Sequence, residues 1–141
     1  MLFWWVNGIE IPPKPSLPMN IPKTHQQIMP YLMLKDAPGF IQFMQEVFGA
    51  RLTYSKNRPE SEVIMHAELM IGNSTVMVAQ ANADWTPATA NMFVYVDDAD
   101  ATYAKALENG CESVMELSDK DYGRTCGVKD GFGNVWWVTS V

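Results

Sequence analysis

His66 and Glu68 stand two apart in the run MHAEL and pair an imidazole with a carboxylate. On a strand, side chains at i and i+2 leave the same face. His66 can then act as a general base while Glu68 orients it. The same spacing fits a structural pair, with His66 hydrogen-bonding across a sheet and Glu68 meeting solvent. A second set of residues suits ligand holding rather than proton transfer. Met29, Tyr31 and Met33 alternate along one apolar run, Asn91, Phe93 and Tyr95 along another, and Trp137 falls in a third. Aromatic side chains with a polar handle suit a planar ligand, and they equally suit a core. Arg124, after Tyr122 and Gly123, can clamp a carboxylate or phosphate at a pocket mouth, or pair with a nearby acid. Cys126 lies mid-strand without an activating base and reads as a buried, inert thiol. The segment 118–123 and the loop around Trp85 are the natural lids.

These residues need elements to hold them. The run 27–34, QIMPYLML, reads as a strand. Asp36 followed by Pro38 supplies an N-cap and an early helical proline. Phe40, Phe43, Met44, Val47 and Phe48 then recur at helical spacing, and Gly49 ends the helix. Strands follow at 51–55, 62–71 and 74–80, with a tight turn at 71–73. After a polar, Ala-rich connection at 81–90 the order recurs. A strand spans 91–96, a helix runs from Asp98 to Asn109 with Gly110 as its stop, and strands lie near 111–116, 124–129 and 134–140. The repeat is countable: Gly49 to Gly72 and Gly110 to Gly133 both span 23 residues, and each second glycine is followed by Asn. Self-similarity at a fixed period points to two tandem βαβββ modules, 27–80 and 91–141, in an α+β chain. Residues 1–26 form an N-terminal extension, in which IPPKPSLP at 11–18 carries four prolines and reads as an extended linker. Leu2, Phe3, Trp4 and Trp5 are expected to dock on an apolar patch of this chain or of a partner.

At 141 residues, 48% hydrophobic and 18% charged, the chain is long and apolar enough for one packed core. A formal net charge of −6 with ten Lys and Arg excludes a basic stripe for nucleic acid. Cys111 and Cys126 form no CxxC and have no histidine cluster beside them, which argues against a zinc site or a disulfide framework and suggests reduced thiols in a cytoplasm. The opening MLFWWV lacks the basic start and cleavage site of a signal peptide, and no run approaches a membrane span.

Four segments, MPYLMLKDAPGFIQFMQEVFGA, MHAELMIGN, VYVDDADATYAKALENG and YGRTCGVKDGFGNVWWV, together resemble the PhnB-like branch of the vicinal oxygen chelate superfamily, which includes glyoxalase I and bleomycin-resistance proteins. The resemblance covers residues 27–141. It implies an incompletely closed β-sheet cup built from two βαβββ modules. It also implies a divalent metal held by His or Gln on each first strand and Glu on each last strand, acting as a Lewis acid on two neighbouring substrate oxygens. In that pattern the first-strand ligand precedes the helix-opening Asp by seven residues, which falls on Met29 and Asn91. The last-strand Glu follows the turn glycine by four, which falls on Val76 and Trp137. None of the four is a His or a Glu. The expectation is therefore a metal-free, cofactor-free cup lined by Met29, Tyr31, Met33, Asn91, Phe93, Tyr95 and Trp137, with Arg124 at its mouth. It would enclose a small organic ligand and be completed by homodimerisation. The alternative is a metal-dependent lyase, isomerase or dioxygenase with relocated ligands, in which His66 and Glu68 are catalytic beside a carboxylate such as Glu62 or Asp84.

Overall fold

The structure, a computed structural model, describes residues 4–13 and 19–141. The expected docking of Leu2 and Phe3, and residues 14–18 of the proline-rich stretch, lie outside the described residues.

After a short N-terminal hairpin of β1 (Trp4–Val6) and β2 (Ile9–Ile11), the chain forms two units of identical topology. The first comprises β3 (Tyr31–Leu34), α1 (Ala37–Phe48), β4 (Arg51–Asn57), β5 (Ile64–Ile71) and β6 (Ser74–Gln80). The second comprises β7 (Asn91–Tyr95), α2 (Ala99–Glu108), β8 (Glu112–Lys120), β9 (Gly123–Lys129) and β10 (Val135–Ser140). Their sheets run β3-β6-β5-β4 and β7-β10-β9-β8. In each, the first strand pairs parallel with the last and the remaining pairs are antiparallel. Neither sheet closes into a barrel.

Local chemistry fixes the helix ends. The Asp36 carboxylate accepts from the Gly39 amide at 3.0 Å, and Gly49 stops α1 at a φ of 64°. Asp98 repeats the cap on α2, accepting from the Ala101 amide at 3.1 Å. The two helices are unequal. α1 buries Phe40, Ile41, Phe43, Met44 and Val47, whereas α2 buries only Ala99 and Ala106.

The core lies between the modules and is organised around Trp136, 1% exposed. Its indole lies 4.6 Å from Phe48 and 6.4 Å from Phe40 and Phe43, centroid to centroid, so a β10 residue of the second module fills the space beside α1 of the first. The indole N–H donates to buried Asp130 at 2.9 Å. The same carboxylate accepts from the Phe132 and Asn134 amides and from the Asn134 side chain, tying down the β9–β10 turn. Asn134 in turn accepts from the Ala90 amide at 3.0 Å and fixes the entry to β7. A buried carboxylate is costly unless its lone pairs are filled, and here four donors fill them.

Ahead of the expected linker, the N-terminal extension forms a hairpin that the sequence reading did not assign. Asn7 and Gly8, at φ of 51° and 77°, form the two-residue turn that suits strand twist. Among the described residues, β1 and β2 contact no other strand or helix, and Trp5 is 69% exposed.

Trp136→Ala empties the inter-module core and is expected to cost about 3–5 kcal/mol, read as a lowered urea midpoint. Asp130→Ala, which strands four donors, should also lower it by more than a surface substitution does.

Candidate functional site

Each sheet has one face against the helices and one without helices. Leu32, Leu34, Val76, Val78, Ala67, Leu69, Trp136, Val138, Cys126 and Val128 face the shared core. Strand alternation therefore sends their neighbours to the other face. On the first sheet these are Tyr31 and Met33 on β3, Met77 and Ala79 on β6, and His66 and Glu68 on β5. On the second they are Asn91, Phe93 and Tyr95 on β7 beside Val135, Trp137 and Thr139 on β10. The aromatic positions read from the sequence do share the helix-free side. Met29 precedes β3 on the same alternation and is half-buried. Tyr31, Phe93 and Tyr95 are 47%, 51% and 63% exposed, so the described residues of one chain leave them about half open.

On the second sheet Trp137 is held from two sides. Its indole N–H donates to the Asn91 side-chain oxygen at 3.2 Å. Its ring lies over Gly127, where an added Cβ would come within 2.5 Å of it. Phe93 and Tyr95 meet edge-on at 5.1 Å, and Tyr122 approaches Phe93 at 6.5 Å. Tyr122 and Trp85 are both largely exposed, Tyr122 beside this face.

The first sheet carries the polar chemistry. Residues 24–26 cross its end as a strap: the Thr75 hydroxyl donates to the Thr24 carbonyl, and the Gln26 amide brackets the Thr75 backbone at 3.1 and 3.3 Å. This places His25 Nε2 at 2.6 and 2.9 Å from the two Glu68 oxygens. His66 Nδ1 lies 3.1 Å from the Tyr31 hydroxyl, and its Nε2 is 3.7 Å from Glu68 Oε1. Glu68 is thus largely buried, with only a small part of its side chain open, and its close partner is His25 rather than His66. Sequence reasoning did not assign His25 to the site, because it lies in the extension, four residues before the register position at Met29. Its one available signal was that it is the chain's other histidine.

Two positions need correction. Arg124 faces α2, not the ligand face: it makes two 3.1 Å bonds to Asp100 and lies 3.5 Å from Asp119. Hydrogen bonding from the guanidinium holds the Asp100 carboxyl below its ordinary range. Val76, counted as the last-strand ligand position, faces the core. The register matches Tyr31 to Met77 and Phe93 to Trp137, so Met77 is the true counterpart of Trp137. Met77 lies five residues after Gly72 but Trp137 only four after Gly133, and a one-residue slip reverses the face.

The sequence profile of the Glyoxalase/Bleomycin resistance protein/Dioxygenase superfamily matches residues 26–138. The chain belongs to this superfamily. Among solved structures it is similar to TioX from Micromonospora sp. ML1, with 27% identity and a TM-score of 0.64 over 82% of this chain and 96% of that one. The PhnB protein of Bacillus cereus shares the fold at a TM-score of 0.66 and 18% identity, covering 82% and 100%. TnmS3, an antibiotic binding protein from Streptomyces sp. CB03234, shares it at 0.63 and 17%, covering 82% and 98%.

The superfamily's metal positions do not fit a divalent ion in this member. They hold Met29, Met77, Asn91 and Trp137, which are two thioethers, an amide and an indole, without the imidazole or carboxylate donors a tight site needs. His25 and Glu68 bond to each other, and among the described residues no three His, Cys, Asp or Glu side chains gather as ligands. The cysteines are free and buried. Burial, and then the charge of Asp130, pushes the Cys111 thiol up to about 12; burial, and then Asp100, pushes Cys126 up to about 11.

Gly127→Ala is expected to lift Trp137 off its seat, shifting tryptophan emission while leaving the unfolding midpoint changed by less than Trp136→Ala does. Native protein should resist a thiol reagent at pH 8 and expose both thiols on unfolding. Because the folded thiol pKa values are raised, the stability that protonation confers is complete below the unfolded value. It should be lost as pH climbs through the window ending at about 11 to 12.

Proposed function

We propose that this chain is a metal-free small-molecule-binding protein that holds an organic ligand against the helix-free faces of its sheets. The observation that carries this reading is the exposure of Tyr31, Phe93 and Tyr95 on faces that turn away from the core. Large apolar side chains gathered on a soluble surface mark a place where something binds. TnmS3, a protein of the same fold, is an antibiotic binding protein, which supports a small organic ligand here.

The cup is completed by a second copy. One sheet supplies only half an enclosure, and the outer edge of β7 is unpaired, whereas that of β3 is met at Met33 by Ala88. Open edges and uncovered apolar faces are both satisfied by pairing about a two-fold axis. The exposed β1–β2 hairpin is an arm for that contact, since a lone two-stranded hairpin is marginal in water. Two buried free thiols suit a cytoplasmic setting, and no helix among the described residues is long and apolar enough to cross a membrane.

A second reading, general-base catalysis by His66 with Glu68, is favoured by the Tyr31 hydroxyl that orients His66. Metal content of protein purified without chelator tests the metal-dependent form of that reading, and a stoichiometric ion would support it.

Light scattering should give twice the chain mass at micromolar concentration, with deletion of residues 1–18 weakening the dimer. A monomer would overturn the pairing. Titration with polycyclic aromatic probes should quench fluorescence in Trp136→Phe but far less in Trp137→Phe. No response from any probe would overturn the binding reading.

A further inference from the structure

On the ligand face of the first sheet, His66 and Glu68 each have one protein partner and one unused direction. Tyr31 holds His66 through Nδ1, and His25 holds Glu68 through both oxygens. Nε2 of His66 and Oε1 of Glu68 then face each other at 3.7 Å, beyond hydrogen-bond length. Both side chains remain partly open, 23% and 11% exposed. Two anchored groups held slightly too far apart to bond directly leave a position where one further atom reaches both.

Resting on the cup reading above, we infer that this gap is a hydroxyl-recognition site and that the ligand is an aromatic compound carrying a phenol-type hydroxyl. The hydroxyl oxygen accepts from the His66 N–H while its proton is donated to the Glu68 carboxylate. A hydroxyl is the smallest group able to do both. An ether in the same place offers no proton to Glu68, and a carboxylate would meet that oxygen's negative charge. The aromatic body is required by what surrounds the gap: Tyr31 stands edge-on to His66 at 5.3 Å and Tyr54 lies at 6.0 Å. The strap adds selectivity, because His25 keeps Glu68 from swinging to close the gap onto His66.

The matched probes are 2-naphthol and 2-methoxynaphthalene, which differ by methylation of the one hydroxyl, measured by calorimetry. The wild-type protein should bind 2-naphthol about tenfold more tightly, the size of one buried hydrogen bond to a charged group. Glu68→Gln and His66→Phe should each bring the two affinities to within about twofold of one another. Should Glu68→Gln fail to fold, His66→Phe still reports, since His66 is the more exposed of the pair. Equal wild-type affinities, or discrimination that survives in His66→Phe, would overturn the hydroxyl site and leave the cup reading standing. Binding of neither naphthalene would overturn both.

Discussion

The position of every candidate residue follows from one packing event, the insertion of Trp136 of the second module beside α1 of the first. Because that contact joins the modules through their helix-bearing sides, both sheets present their other faces outward. A large indole buried on β10 commits its neighbour Trp137 to the opposite face by strand alternation alone. Adjacent tryptophans therefore have different tasks. Trp136 is anchored by Asp130 and holds the modules together, and Trp137 is anchored by Asn91 and shapes a surface. The Asp130–Asn134–Ala90 chain of bonds extends the same constraint to β7, so the strand carrying Phe93 and Tyr95 is aligned by the core contact.

Much of this was legible in the sequence, for reasons that are local. The caps at Asp36 and Asp98, the stop at Gly49 and the equal glycine spacings each depend on a few consecutive residues, and they located both helices and the repeat. Alternation put Tyr31, Met33, Phe93, Tyr95 and Trp137 on a common side. The failures came where distant segments decide. Val76 was misplaced because the β5–β6 turn is two residues long and the β9–β10 turn five, so a fixed count from the glycine lands on opposite faces, and only the pairing with Tyr31 reveals this. Arg124 depends on the approach of α2, an element whose burial is too slight to announce its orientation. The N-terminal hairpin is a different kind of miss. Asn7-Gly8 between apolar residues is a strong local turn signal, but the strands it joins are only three residues each, too short to show an alternation of their own.

The two sheets share topology but not chemistry. The first carries two imidazoles, a buried carboxylate and a phenol, and the second carries mostly aromatic surface. The difference lies partly inside the repeat, where β3 and β5 carry Tyr31, His66 and Glu68, and partly outside it, in the strap of residues 24–26 that adds His25. Before β7, Ala90 instead donates its amide to the Asn134 side-chain oxygen. The shared topology is the scaffold, and side chains on and ahead of the first module carry the polarity.

That strap has a kinetic consequence. His25 and Glu68 are 43 residues apart, and the Gln26 and Thr24 contacts to Thr75 span 49 and 51. Closing loops of that length costs entropy before any contact repays it. The strap can engage Glu68 and Thr75 together only when β5 and β6 are paired, since its two partners sit on different strands of that hairpin. The complete polar half of the site therefore follows that pairing, and a chain that stalls before β5 and β6 meet lacks the full set of strap contacts.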